Sequence, residues 1–141
     1  MSGFEFASAV VGLIDLGAKV VVLCSTYFRG VVDAQKNANQ LLTEVSSLQI
    51  CLGELGVFAS TVEKGSLSEG RLWRLKAPLI DCQVRLSTAL KQLDKSGNGK
   101  NGMNGVRRMV WPFMEKELRD IVSTLSQFRA TIADTITVEI G

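Results

Sequence analysis

Residues 3–28 constrain this chain more than any other stretch, because they form a helical pattern that is apolar around most of its circumference. The segment contains no proline, and its only charges are Glu5, Asp15 and Lys19. At about 100° per residue, Glu5, Ser8, Gly12, Asp15, Lys19 and Thr26 fall within an arc of roughly 80°. Outside that stripe stand Phe4, Phe6, Val10, Val11, Leu13, Ile14, Leu16, Gly17, Val20 and Val21, while Gly12 lies within it and Leu23 at its margin, at the angle of Glu5. A helix of this kind must be covered by protein or by lipid, and the sequence alone leaves both open.

It does not read as a signal peptide: there is no basic leading region, charges interrupt the apolar run, and no small-x-small cleavage site precedes a polar chain. Nor is it a self-sufficient span. The uncharged runs 6–14 and 20–28 are each about half of the ~20 residues a span requires. Asp15 and Lys19 stand at i and i+4, where they can pair, and the pair divides the helix.

The rest of the chain reads as three more helices. Over 31–62, Ala38, Leu41, Val45, Leu48, Leu52, Leu55, Ala59 and Val62 alternate spacings of three and four, a seam made for another helix. Gly53 and Gly56 lie within it, where a bend or a close helix contact is expected. Residues 64–70 read as a loop, 71–76 as a short helix, and Pro78 suits the first turn of the next helix. That helix, 77–95, places Leu79, Cys82, Leu86, Ala89, Leu90 and Leu93 inward. Residues 96–105, rich in glycine and asparagine, read as a surface loop. The last helix, 112–137, carries Met114, Leu118, Ile121, Leu125, Phe128, Ile132 and Ile136 on one stripe. Only 135–140 alternate at period two, too few for a sheet. The expected fold is all α, a single domain over 1–141 packed as an up-down four-helix bundle with room for additional short helices. Its first helix should be the most enclosed one, or else leave the bundle.

Several chemistries are excluded or weakened. The absence of histidine rules out histidine zinc sites and Ser-His or Cys-His catalysis. Cys24, Cys51 and Cys82 sit singly in apolar patterns and read as reduced core residues. Gly97-Asn98-Gly99-Lys100-Asn101-Gly102 matches a dinucleotide loop in letters, but lies between helices rather than in a strand–turn–helix unit. Glu115, Glu117 and Asp120 alternate with Lys116 and Arg119 as a solvated lattice. Catalytic residues, metal and cofactors are therefore not expected. A net charge of +2 gives no case for nucleic acid. The positive excess sits in 63–95, which carries +3; it suits an anionic membrane surface and equally a solvated bundle face. Arg71, Trp73 and Arg74, and likewise Arg107, Arg108 and Trp111, have the composition of interfacial anchors. Either tryptophan also suits simple core packing.

The opening run Phe6-Ala7-Ser8-Ala9-Val10-Val11-Gly12-Leu13-Ile14-Asp15-Leu16-Gly17-Ala18-Lys19 is the first of three related patterns. The others are Leu41-Leu42-Thr43-Glu44-Val45-Ser46-Ser47-Leu48 with Leu52, and the Arg108 to Trp111 entry into a helix with Leu118 and Leu125. Together they resemble the fungal HeLo-like domain found at the N-terminus of STAND (NLR-type) receptors. The resemblance covers nearly the whole chain and implies a bundle similar to HeLo and mixed-lineage-kinase-like domains. It implies a non-enzymatic cell-death effector of innate immunity and heterokaryon incompatibility, cytoplasmic at rest and at the plasma membrane when activated. In that picture the domain homo-oligomerises, and its N-terminal helix enters or perturbs an anionic phospholipid membrane, forming a pore. A C-terminal receptor or amyloid signalling domain would complete the full-length protein. Ala7, Gly12 and Gly17 recur every five positions, departing from the every-fourth glycine zipper of some relatives. The competing expectation is a non-lytic interaction and oligomerisation module.

Overall fold

A computed structural model describes residues 3–31, 34–62, 65–97 and 110–140, with side chains placed for 5–31, 34–62, 65–95 and 110–137. Among the described residues the fold is all α: four long helices, α1 (Gly3–Gly30), α2 (Gln35–Thr61), α4 (Lys76–Gly97) and α5 (Glu115–Ile140), and one short one, α3 (Leu67–Arg74). The apolar spacing decides what each helix buries. α2 turns all of Ala38, Leu41, Val45, Leu48, Leu52, Leu55 and Ala59 inward. α1 contributes Phe6, Val10, Leu13, Val20, Cys24 and Tyr27, α4 its stripe from Leu79 to Leu93, and α5 Leu118, Ile121, Leu125, Phe128 and Ile132. Each buried leucine or phenylalanine is worth about 1.5–3 kcal/mol of apolar transfer, and the described core contains no buried charged residue.

The long helices alternate in direction along the chain. α1 and α2 are antiparallel, with Val10 beside Gly56, Ile14 beside Gln49 and Gly17 beside Val45. α4 and α5 are antiparallel too, Glu117 and Ile121 facing Asp81 to Gln92, and Thr124 to Thr131 facing Ala77 to Asp81. The buried Tyr27 hydroxyl donates to the Leu93 carbonyl at 2.8 Å, so the C-terminal ends of α1 and α4 lie together and the two run parallel. α1 packs on α2 and α4, and α5 packs on the same two helices. The four form a square in which α1 and α5 occupy one diagonal, α2 and α4 the other. The path from α2 to α4 therefore crosses the bundle, and α3 lies on it.

Several boundaries and one placement differ from the sequence expectation. α1 occupies a corner rather than the centre, leaving Val11 and Val22 each 64% exposed. Residues 67–70 are helical, not loop, because Ser66 caps α3: its hydroxyl accepts from the Glu69 N–H at 3.2 Å, half of a Ser-x-x-Glu capping box. α3 ends at Arg74 since Pro78 has no N–H for that carbonyl and its ring crowds it. α2 begins at Gln35 rather than 31, and α5 at Glu115 rather than 112. Phe113 consequently takes the core position, and Met114, expected inward, is 71% exposed. Residues 135–140 are helical. Residues 98–105 of the expected loop lie outside the described residues, while 96 and 97 belong to α4. Of the two glycines in α2, Gly56 faces α1, where an added Cβ would meet Val10 Cγ1 at an ordinary packing distance of 3.6 Å, and Gly53 faces open space.

Candidate functional site: the outer face of the first helical hairpin

The narrow polar stripe of α1 faces outward as the spacing requires: Glu5, Ser8, Gly12, Asp15, Lys19 and Thr26 are all exposed. Asp15 and Lys19 pair at 3.4 Å with side chains 69% and 63% exposed. A pair that wet is worth little to stability and leaves both charges hydrated. Beside the stripe, Val11, Ala18 and Val22 form an exposed apolar edge.

The apolar residues named for this helix, which the HeLo-like resemblance would make its membrane-active element, divide by their place in the bundle. Phe6, Val10, Leu13, Gly17 and Val20 are buried, Ile14, Leu16, Val21 and Leu23 are half-buried, and Val11 and Gly12 are exposed; the Phe4 side chain lies outside the described residues. Most of this set therefore serves as bundle core in the closed structure. Ala18, Lys19, Val22 and Leu23 meet Leu90, Lys91 and Asp94 of α4 in an open groove of about 560 Å³, apolar at its floor and charged at its rim.

Sequence reasoning missed the partner helix. α2 exposes Ile50 and Val57, each 68%, with Gly53 between them. Among the described residues α1 (Glu5–Gly30) and α2 (Gln35–Thr61) are both long and apolar enough to cross a membrane, and 28% of the residues in either apolar window are buried. The signal was present, since only Glu54 is charged between Val45 and Val62.

The two helices are closely joined. Gly17 is buried against Val45 and Gln49: an added Cβ would stand 3.4 Å from Val45 Cγ1 and from Gln49 Cγ, an ordinary packing distance that leaves no gap in the seam. Gln49 Nε2 donates to the Ile14 carbonyl at 3.1 Å. Across the opposite seam, Arg129 of α5 grips Glu44 of α2 with two charge-assisted bonds, Nε to Oε1 at 3.2 Å and Nη2 to Oε2 at 3.4 Å.

The two basic-aromatic clusters separate. Trp73 is exposed, with Lys76 Nζ 5.3 Å from its ring centroid, near the exposed Arg74 and the half-buried Arg71. Trp111 is half-buried, edge-on to Tyr27 at 5.5 Å and to Phe113 at 5.2 Å; it plugs the end of the core where α1 and α4 finish. Its buried Nε1 has no hydrogen-bond partner among the described residues. Arg107 and Arg108 lie outside the described residues.

The three thiols are free. Burial pushes Cys24 and Cys82 up to about 12, the Asp81 carboxylate adding to the effect at Cys82. Half-buried Cys51 is raised too, by burial and then by Glu54. Buried thiols held neutral in this way are poor nucleophiles. Among the described residues no three metal-ligating side chains converge. Comparison with protein-family models, with curated proteins and with solved structures gives no match.

Proposed function

We propose that this domain is a membrane-perturbing, death-inducing effector, closed as a bundle in the cytoplasm and acting on the plasma membrane once several copies assemble. The observation that carries this reading is the Glu5–Gly30 stretch of α1, 26 residues long, apolar, and with 28% of its apolar window buried. At 1.5 Å per residue such a helix reaches about 39 Å, more than the ~30 Å hydrocarbon thickness of a bilayer. Asp15 and Lys19 stay hydrated on the bundle surface; in a membrane assembly they would face a polar seam or a pore, since intramembrane charge is tolerated where it meets water or a partner. The exposed Trp73, Arg74 and Lys76 supply an interfacial foothold beside it. The resemblance to HeLo-like domains points the same way. No enzymatic role is assigned.

The test is dye release from vesicles of phosphatidylcholine with phosphatidylserine, comparing the natural chain with Val11→Asp/Val22→Asp, which alters exposed positions and should leave the fold intact. Release by the natural chain and none by the variant is expected. Equal release from both, or none from the natural chain even after forced oligomerisation, defeats the proposal. The second reading, a docking module that never meets lipid, draws on the α1–α4 groove. It requires α1 to keep its protection from hydrogen exchange when vesicles are added.

A further inference from the structure

We propose that the unit which leaves the bundle for the lipid is the α1–α2 hairpin moving as one body, with the Glu44–Arg129 pair as the clasp that holds it closed; this rests on the membrane-perturbing reading above. Four observations converge. α2 meets the length and composition of a span independently of α1. The α1–α2 seam is the most extensive in the molecule. That seam is also of the kind that persists in lipid: small residues, Gly17 and Gly56, stand on it, and the part-buried Gln49–Ile14 hydrogen bond joins the helices and would face no competing water in a bilayer. The opposite seams are of another kind. α2 meets α5 through a bidentate ion pair whose Glu44 side chain is 14% exposed and whose Arg129 is 39% exposed, and α1 meets α4 beside an open groove with a charged rim.

The occupant of the exposed hairpin face is the acyl region of a bilayer. Val11 and Val22 on α1 and Ile50 and Val57 on α2 lie on the outside while Val10, Gly17 and Gly56 close the seam between the helices. If α1 left alone, α2 would lose its partner along its whole length, exposing Leu41, Val45, Leu48 and Leu52 to water. Departure of the pair keeps that seam closed and presents the pair's own inner face to lipid, while the inner faces of α4 and α5 lose their cover. Glu44 then loses Arg129, which is the cost the clasp imposes on opening.

Two tethers decide the matter. Gly17→Cys/Gln49→Cys, oxidised, fastens α1 to α2; Val10→Cys/Gly56→Cys does the same at another level should the first misfold. Glu44→Cys/Arg129→Cys, joined by a bis-maleimide, fastens α2 to α5. Cys51→Ser serves as background, since Cys24 and Cys82 are fully buried and do not react in the folded chain. Dye release is read from phosphatidylcholine–phosphatidylserine vesicles, with circular dichroism as the folding control. The expected pattern is release retained with α1 fastened to α2 and lost with α2 fastened to α5, returning when the tether is omitted. Release lost by the first tether and kept by the second means that α1 leaves alone and overturns the inference, as does loss from both or from neither. The membrane reading survives all these results, because the untethered chain still leaks; silence of the untethered chain defeats both.

Discussion

The α1–α2 pair and the α4–α5 pair share one core and differ in what they turn away from it. Inside, leucine, valine and phenylalanine from all four long helices reach similar, near-complete burial. Outside, α4–α5 presents Asp81, Arg85, Lys91, Glu115, Lys116, Arg119, Asp120 and Asp134, relieved only locally by Ile80 and Val84. α1–α2 presents Val11, Ala18, Val22, Ile50, Gly53 and Val57 between few charges. Packing therefore explains the inner faces of both pairs, whereas solvation explains the outer face of only one. An exposed apolar face on a helix pair is a mark of an interaction site, and under the membrane reading proposed above the lengths of α1 and α2 match the thickness of a bilayer.

The comparison breaks if the halves do not share a core. Leu48→Ala in α2 and Leu125→Ala in α5 are each expected to lower the unfolding free energy by about 2–5 kcal/mol, read by denaturant titration; a negligible loss in either half would mean that half folds apart. Matched surface substitutions sharpen it. Val22→Asp and Val84→Asp, at 64% and 58% exposure, should each change stability by less than about 0.5 kcal/mol, yet only Val22→Asp should abolish vesicle leakage. A third variant addresses the clasp. Glu44→Gln gives up charge-assisted bonds at a partly wet site, so a stability loss of about 1 kcal/mol is expected together with faster leakage than the natural chain; slower leakage would remove the clasp.

The smallest effects concern the thiols. A maleimide should label Cys51 alone in the folded protein and all three thiols in denaturant, and vesicles should bring Cys24 into reaction if the seams open. Folding raises Cys24 and Cys82 from 9.0 to about 12, so their contribution is intact below about pH 9 and declines as pH climbs towards 12, where the unfolded thiols ionise first. Cys24→Ala/Cys82→Ala should flatten that decline in a pH series of melting curves.

Much of this fold is legible in the chain because burial follows the three-four spacing: every expected inward residue of α2 from Ala38 to Ala59 is buried. Periodicity is blind to two things. It does not say which stripe meets which, so the square order with α1 beside α4 and α5 beside α2 is not in the pattern. It also marks a helix's inner face without testing its outer one. Attention to the apolar surplus of α1 thus hid the smaller surplus of α2, where Glu44 and Glu54 interrupt the eye more than the chemistry. The expected short helix at 71–76 lies at 67–74 instead, its start placed four residues late because Gly70 reads as a breaker although Ser66 and Glu69 spell its cap. Met114 was assigned inward by extending the α5 stripe past its first turn. Of the candidate site, the polar stripe was readable from Glu5, Asp15 and Lys19, whereas the Glu44–Arg129 grip joins residues 85 positions apart and needs the fold to be seen.

The diagonal route from α2 to α4 has a mechanical meaning. Because both helices of each pair are consecutive among the long helices, the pairs are joined in sequence by the one stretch that carries α3, and Trp111, packed on Tyr27 of α1, is a further contact between them. Among the described residues, the halves can part like the covers of a book about that stretch once Trp111 releases Tyr27. Reclosure is equally unobstructed, so for a single copy parting and rejoining can be reversible, and only capture of the open form by lipid or by other open copies would make the change final.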